Sequence, residues 1–450
     1  MFSIPQALDR IKGRLTDSVP APLIERLCRE LGHRWRDREL GPVVTTHLFL
    51  RQVLHGNTAV AHLRRLCGLD FTDPAYCQAR ARLPLELLRC LQRAVTDDLR
   101  ADGHDRPESR WLGHRVFLLD GSSFSMPDTD ALRRHFGQPA GQAPGCGFPV
   151  AHLLALFDAR RGYLLEAVAR PLETHDLSGA AAAHEALGAG DVLVGDRAFA
   201  SYAHLALGLG RGIQGLFRAH QRQIVDFRPG RPHVAPGAKA VKGRPRSRWL
   251  RRLGRWDQWV EYYRPEEVPG WMTDDQYAAL PESIVVRELR YAVRRPGGRT
   301  RVVTLVTTLL DPGRYPAEEL TRLYGLRWGV ETDLRHLKRT MRMDVLRCGT
   351  VEGVRKELAV FVLVYNLVRR VMEEAGRRQG VAAERISFVD AWRWLQEARP
   401  GDRLPRLVVN PDRPGRVQPR VRKRRPKEYP LMKRPRAELR KALFKQRVAA

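Results

Sequence analysis

The chain has 450 residues, enough for a sizeable core, and a formal charge of +29 from 79 Lys+Arg against 50 Asp+Glu. Residues 413–450 hold 15 basic and 2 acidic residues and residues 218–255 hold 12 and 1, so two windows carry +24 of that charge and the remainder is close to neutral. The longest apolar run, 358–365, is too short to span a bilayer, and six cysteines without a CxxC pair exclude a zinc ribbon or a disulfide framework, so a cytoplasmic protein with a polyanionic partner, nucleic acid by default, is the expectation.

Residues 1–105 are expected to be helical, because apolar residues recur at helical spacing over 4–15, 23–31 and 46–54. Two short helices follow: "TAVAHLRRLCG", which Asn57 or Thr58 would cap, and "DPAYCQARARL", opened by Thr72 and Pro74. Their short connection resembles a helix-turn-helix, which makes Arg80 and Arg82 candidate DNA contacts; an ordinary packed helix pair is the competing reading. From residue 112 the period changes. "HRVFLLD" (114–120) reads as a strand buried on both faces, and "HLLALFD" and "YLLEAVAR" as two more joined by a turn at 159–162. An Ala-rich helix (178–188), the strand "DVLVGD" (191–196), a helix over 199–208 and the strand "GIQGLFR" (212–218) complete a mixed α/β pattern. Residues 219–256 read as a loop or extended arm. Two strands follow, "SIVVRELRYAV" and "TRVVTLVTTLL", around a Pro-Gly-Gly turn at 296–298. Helices resume at Pro316 and cover 352–376 and 387–397; from about 400 the chain is Pro- and Arg-rich and expected to be disordered when free.

Asp120 and Asp196 each stand at the end of an apolar run, where strands fix a side chain and loops admit substrate. A lone carboxylate there is usually a turn or cap residue; two in neighbouring strands point to a shared divalent-cation site. A third comes from "YGLRWGVETDLRHLK" (324–338). With Tyr324 set at zero on a helix of 100° per residue, Arg327 falls at about −60°, Glu331 near −20° and Lys338 near −40°. The apolar residues Leu323, Val330, Leu334, Leu337 and Met341 centre near −110°, so the polar stripe lies on the shoulder of the buried one. A purely solvated face would lie opposite. Phosphodiester cleavage asks for this set: carboxylates to hold two Mg²⁺ ions, cations to hold the phosphate backbone, and a tyrosine able to bond a phosphate or stack on a sugar. An intrahelical ion pair is the competing reading.

Tyr324, Arg327, Glu331 and Lys338 form the pattern Y-x2-R-x3-E-x6-K, which resembles the signature of the insertion-sequence-4 family of bacterial DDE transposases. "LLDGSSFSMPDT" around Asp120 and "VLVGDRAFAS" around Asp196 resemble that family's two aspartate motifs, and the resemblance spans roughly residues 40–375. It implies an α/β protein whose ribonuclease-H-like catalytic core is interrupted by a β-rich insertion, with an N-terminal helical domain and a helical C-terminal region. The parts would be a DNA-binding region (1–105), the first part of the core (106–218), the basic insertion (219–312), the core helix bearing Glu331 with the C-terminal helices (313–400), and the basic tail (401–450). It implies cut-and-paste transposition through a hairpin, with Asp120, Asp196 and Glu331 holding two Mg²⁺ or Mn²⁺ ions. Arg327 and Lys338, with Arg197 beside Asp196, would hold DNA, and an insertion tryptophan, Trp256, Trp259 or Trp271, would support a flipped base. The implied partners are terminal inverted repeats and target DNA, bound by a homodimer in a synaptic complex, without a membrane. A DNA-binding regulator that retains the fold without activity, and a nuclease of the same fold, are the alternatives.

If tail and arm neutralise about eight phosphates, log K for DNA falls against log salt with a slope near −7. Deleting residues 413–450 should flatten that slope in binding titrations and leave preference for the element's ends unchanged. Lost end preference with an unchanged slope would contradict it.

Overall fold

The computed structural model describes residues 18–101, 110–139, 143, 145–172, 174, 176–293, 301–399, 402–411 and 434–448. The helix expected over 4–15 and the Pro-Gly-Gly turn lie outside them. Among the described residues five helices precede the sheet: α1 (Ala21–Glu30), α2 (Pro42–Leu54), α3 (Val60–Cys67), α4 (Asp73–Arg82) and α5 (Leu85–Ala101). Nearly every residue of α2 is buried, so it serves as their axis. Its Phe49, Leu50 and Val53 join the main core, while Val44 and Leu48 pack with Leu63, Cys67 and Tyr76 of α3 and α4 in a smaller cluster. Thr72 caps α4 as expected, its hydroxyl accepting from Ala75 N at 3.3 Å. The cap expected for α3 is corrected: Ala59 holds that position, and Asn57, at a φ of 53°, turns inward to donate to Glu357 at 2.5 Å.

Nine strands then build one sheet, in the order β3-β2-β1-β4-β5-β9-β8-β7-β6. β1 (Val116–Ser125), β2 (Val150–Asp158) and β3 (Leu164–Pro171) form an antiparallel meander, with the short helix α6 (Asp130–Phe136) between the first two. After helix α7 (Asp176–Ala183), β4 (Val192–Gly195) pairs parallel to β1; after α8 (Tyr202–Gly210), β5 (Gln214–Arg218) pairs parallel to β4. The apolar runs are buried because helices cover the sheet.

The arm read as a loop over 219–256 contains a strand, and a further strand that the sequence reading did not place follows it. β6 (Arg248–Gly254) and β7 (Asp257–Tyr263), with the short helix α9 (Asp274–Ala278), lead to β8 (Ser283–Val293) and β9 (Arg301–Thr307). β9 pairs antiparallel with β5, so the β-rich section extends the core sheet. Buried polar groups weld it in place. Arg287, 1% exposed, grips Asp257 through both carboxylate oxygens and donates to Tyr315 O at 2.7 Å. Glu288, fully buried, accepts from Tyr262 and Gln258, each at 2.8 Å.

The chain returns through α10 (Ala317–Gly325) and α11 (Arg327–Arg335), then α12 (Val351–Gln379), whose central stretch is wholly buried, and α13 (Phe388–Glu397). The tail read as disordered contains a helix, α14 (Arg436–Val448). Arg436 pins it to the body: its guanidinium pairs with Asp128 at 3.2 Å, donates to Gly147 O at 2.9 Å and lies 3.8 Å from the centre of the Phe148 ring.

Arg369 of α12, 6% exposed, fixes α11 against the β2–β3 turn. It pairs with Asp333 at 3.7 Å and donates to Arg161 O in that turn, where Gly162 (φ 69°) leaves no room for a Cβ. Asp333→Ala would leave a buried guanidinium without its counter-charge and should cost roughly 3–5 kcal/mol, read as a lower denaturation midpoint. Asp333→Asn should recover part of it; a midpoint equal to wild type in both would contradict this anchoring.

Candidate active site

Strand register sets the level of the acidic groups. Leu119 pairs with Gly195 across β1 and β4, and Gly195 with Phe217 across β4 and β5. The next residue along each strand is Asp120, Asp196 and Arg218. Neighbouring strands lie about 4.8 Å apart, so these three emerge side by side. Glycine is required at 195 because a Cβ there would lie 2.9 Å from the Phe199 ring. Asp196 caps the 3-10 turn Arg197–Phe199, its carboxylate accepting from Arg197 N at 2.7 Å. His204 holds the far end of that turn, with Nδ1 2.8 Å from Phe199 O; burial pushes its pKa down to about 4 and keeps it neutral.

Asp120 does not end its strand. β1 runs on to Ser125 along β2, and only its pairing with β4 stops at Leu119. Asp120 therefore sits where one side of β1 opens, and its carboxylate accepts from Gly121 N at 2.9 Å.

The stretch from Tyr324 to Lys338 is not one regular helix. α10 and α11 meet at Leu326, whose amide bonds back to Leu323 O, and α11 passes into a π-helical turn, His336–Thr340. Tyr324 and Arg327 are buried, at 4% and 8% exposure, whereas the Glu331 side chain is half exposed. The Arg327 guanidinium lies near the rings of Tyr324 and Trp328 and spans two carboxylates, Asp120 at 3.5 Å and Glu331 at 3.7 Å. In the π turn Lys338 reaches back to β1 and donates to Ser122 Oγ at 3.0 Å. Ser122 shares a strand face with Asp120.

The electrostatics tie these groups together. Burial raises the Asp120 pKa; Arg327 opposes that, and Asp196 and Glu331 add to it by repulsion, so the three carboxylates act on one another. Tyr324 is pushed up to about 12 by burial, against Arg327, with Asp196 adding to the rise and Arg218 opposing it. Burial also lowers Lys338. All-carboxylate donors are what hard divalent cations take. As placed, though, no three acidic, His or Cys groups among the described residues stand close enough to form a ready metal shell. Arg327 occupies the ground between Asp120 and Glu331 instead.

Arg218 is passed over by the sequence reading, and Ser122 is weighed there only as a nucleophile and set aside. A signal existed for the first, since "GLFR" is an apolar run closing on a charge just as "FLLD" and "VLVGD" are. Among the other expected DNA contacts, Arg197 is exposed and donates to Gln221 at 2.8 Å, and Arg82 is exposed. Arg80 is turned into the protein: it donates to Gln52 at 3.0 Å and lies over the rings of Phe49 and Tyr76. Of the three tryptophans, Trp259 donates to Leu310 O and Trp271 packs on the core. Trp256 is 45% exposed at the β6–β7 turn, between Arg255 and Arg290.

Comparison with known proteins identifies the family. The transposase DDE domain family matches residues 111–367, which include all three acidic residues. The chain is 27% identical over 382 residues to the transposase InsG for insertion sequence element IS4 of Escherichia coli (strain K12), covering 79% of this chain and 77% of that one. A solved structure of a piggyBac transposase synaptic complex with hairpin DNA covers 88% of this chain and 80% of its own, at 10% identity and a TM-score of 0.38, too distant to add to the comparison. The chain belongs to the DDE transposases of the insertion-sequence-4 family.

Proposed function

We propose that this transposase moves an insertion sequence by cut and paste, nicking DNA at terminal inverted repeats, passing through a hairpin and joining the freed ends to target DNA. The observation that carries this is the level row of Asp120 and Asp196, with Glu331 brought toward it through Arg327. The first five strands, ordered 3-2-1-4-5 with β4 and β5 parallel to β1, support a ribonuclease-H-like core. A homodimer on paired ends, working in the cytoplasm, completes the reading. Among the described residues no helix is long and apolar enough to cross a membrane.

Asp120, Asp196 and Glu331 would hold two Mg²⁺ or Mn²⁺ ions. Such ions, when bound, supply a nucleophile at neutral pH and neutralise charge on the attacking and leaving oxygens. The chain's own cations do the positioning. Lys338, steadied by Ser122, directs an ammonium at a phosphate oxygen beside Asp120. Arg218, level with Asp196, and Arg327 hold the flanking phosphates, with the buried Tyr324 ring packed beside them. Arg197 and Arg82 contact backbone further out. Trp256 offers an aromatic face to a base turned out of the stack, and the guanidinium groups beside it offer charge to its phosphate.

The test incubates the protein and Mg²⁺ with DNA carrying its own element's ends, comparing wild type with Asp120→Asn. Coupled cleavage and joining, lost in the variant while end binding persists, is the expected result. Cleavage without joining would point to a nuclease, and binding without either to a regulator.

A further inference from the structure

The connection between α1 and α2 reads "GHRWRDREL", and all five residues from Arg34 to Arg38, each charged or aromatic, are exposed. With the end of α4 it walls a cavity of about 270 Å³. Arg34, Arg36 and Arg38 come to it from the connection, Arg82 from α4, and His33 and Trp35 complete the rim. No acidic side chain lines it; Asp37 and Glu39 alternate with the arginines but face elsewhere. None of the four guanidinium groups is ion-paired to a carboxylate among the described residues, whereas Arg26 and Arg29 of the neighbouring α1 pair with Glu30 and Glu25. The helix α2 starts at the cavity with Gly41 as its N-cap and no side chain capping it, so the positive end of its dipole adds to the field. Trp35 is 38% exposed and stacked on His33, 6.0 Å between ring centres, which fixes its plane.

Four guanidinium groups around one cavity create a local positive potential that attracts anions. The volume chooses among anions: it falls below the roughly 300–1,000 Å³ of ordinary small-molecule pockets, which suits one phosphate with part of its sugar and not a whole dinucleotide cofactor. An aromatic face at the rim suits a nucleotide better than a bare inorganic ion. We propose that this cavity binds a backbone phosphate of the transposase's DNA, with the adjoining sugar or base packed on Trp35. The site rests on the DNA-binding half of the reading above and not on the catalytic half. It assigns Arg82 a partner set from another segment, and gives α4 a role at its C-terminal end, where Arg80 on its inner side has none.

The experiment measures binding of the full-length protein to a fluorescent duplex carrying the element's end, by anisotropy over a salt series, in the Asp120→Asn background. Arg36→Gln/Arg82→Gln removes charge from both walls. It should weaken binding about tenfold and reduce the slope of log K against log salt by about 1, as loss of one phosphate contact requires. Arg26→Gln/Arg29→Gln, on the neighbouring α1, removes equal charge and should do neither. Trp35→Ala should weaken binding by about fivefold or more, with Trp35→Phe close to wild type. Equal effects from the pocket pair and the α1 pair would overturn the site. Because no arm depends on cleavage, a protein that fails to cut but shows the pocket effect removes the catalytic reading and keeps this one; a protein that cuts and joins without the pocket effect does the reverse.

Discussion

Carboxylates brought onto one small volume repel, two unit charges about 4 Å apart by about 4 kcal/mol at an effective dielectric of 20. Here the sheet leaves no alternative, because the row Leu119, Gly195, Phe217 forces Asp120 and Asp196 to emerge together. Arg327 is the local answer. It is buried beside Tyr324 and Trp328 and spans Asp120 and Glu331, so the third carboxylate approaches the other two with its counter-charge in between. One guanidinium is not enough: burial and the two neighbouring carboxylates still hold the Asp120 pKa above its ordinary value. The site therefore favours further positive charge.

That balance holds only if the helix carrying Arg327 and Glu331 keeps its place against β1. Three contacts from different directions hold it. Arg369 takes Asp333, two residues beyond Glu331, and ties α11 to the β2–β3 turn. Arg287, locked onto Asp257, takes the carbonyl of Tyr315 just before α10. Lys338 takes Ser122 from the π turn. The second of these comes from the β-rich section, so that section is part of the scaffold of the candidate site. Its strands continue the core sheet from β5, and its buried Glu288 network closes the loop 219–247 over them.

The parts of this arrangement legible in the sequence are those that depend on one segment at a time. Doubly buried strands show as apolar runs, and the edge position of the Tyr324–Glu331 stripe shows in helical periodicity, because both follow from a single segment's contact with the core. Where two segments must be compared, the sequence is silent. Asp120 reads as a strand end because the apolar run stops there, yet Gly-Ser-Ser-Phe continues β1 against β2 alone. Arg218 belongs to the site only through its register with Asp196. Arg80 and Arg82 are alike on paper, and it is Gln52, Phe49 and Tyr76, from the same helical region but other turns of it, that draw one of them inside. The arginines of β6 conceal a strand because that edge needs no apolar alternation. The π turn has no sequence mark at all, and it shifts Lys338 off the angle that regular geometry gives.

The register that sets the carboxylates also decides where the first basic window lies. That window begins with Arg218, inside the site. From there the row continues across the sheet through Leu305 of β9 and Leu289 of β8 to Asp257 of β7, and one residue further along stand Arg290 and Trp256, joined by a backbone hydrogen bond of 2.8 Å. β1 to β7 is five strand spacings, about 24 Å, or roughly seven base-pair steps of a duplex. A duplex laid along these strand ends meets carboxylates at β1 and β4, then guanidinium groups at β5 and β8, an exposed indole at the β6–β7 turn, and the arginines of edge strand β6 last. In this row Asp257 is held by Arg287, so the remaining carboxylates stand at β1 and β4 and the guanidinium groups begin one strand away. A free tail could supply the same net charge, but only charge fixed to strands can hold a phosphate backbone at a set distance from Asp120.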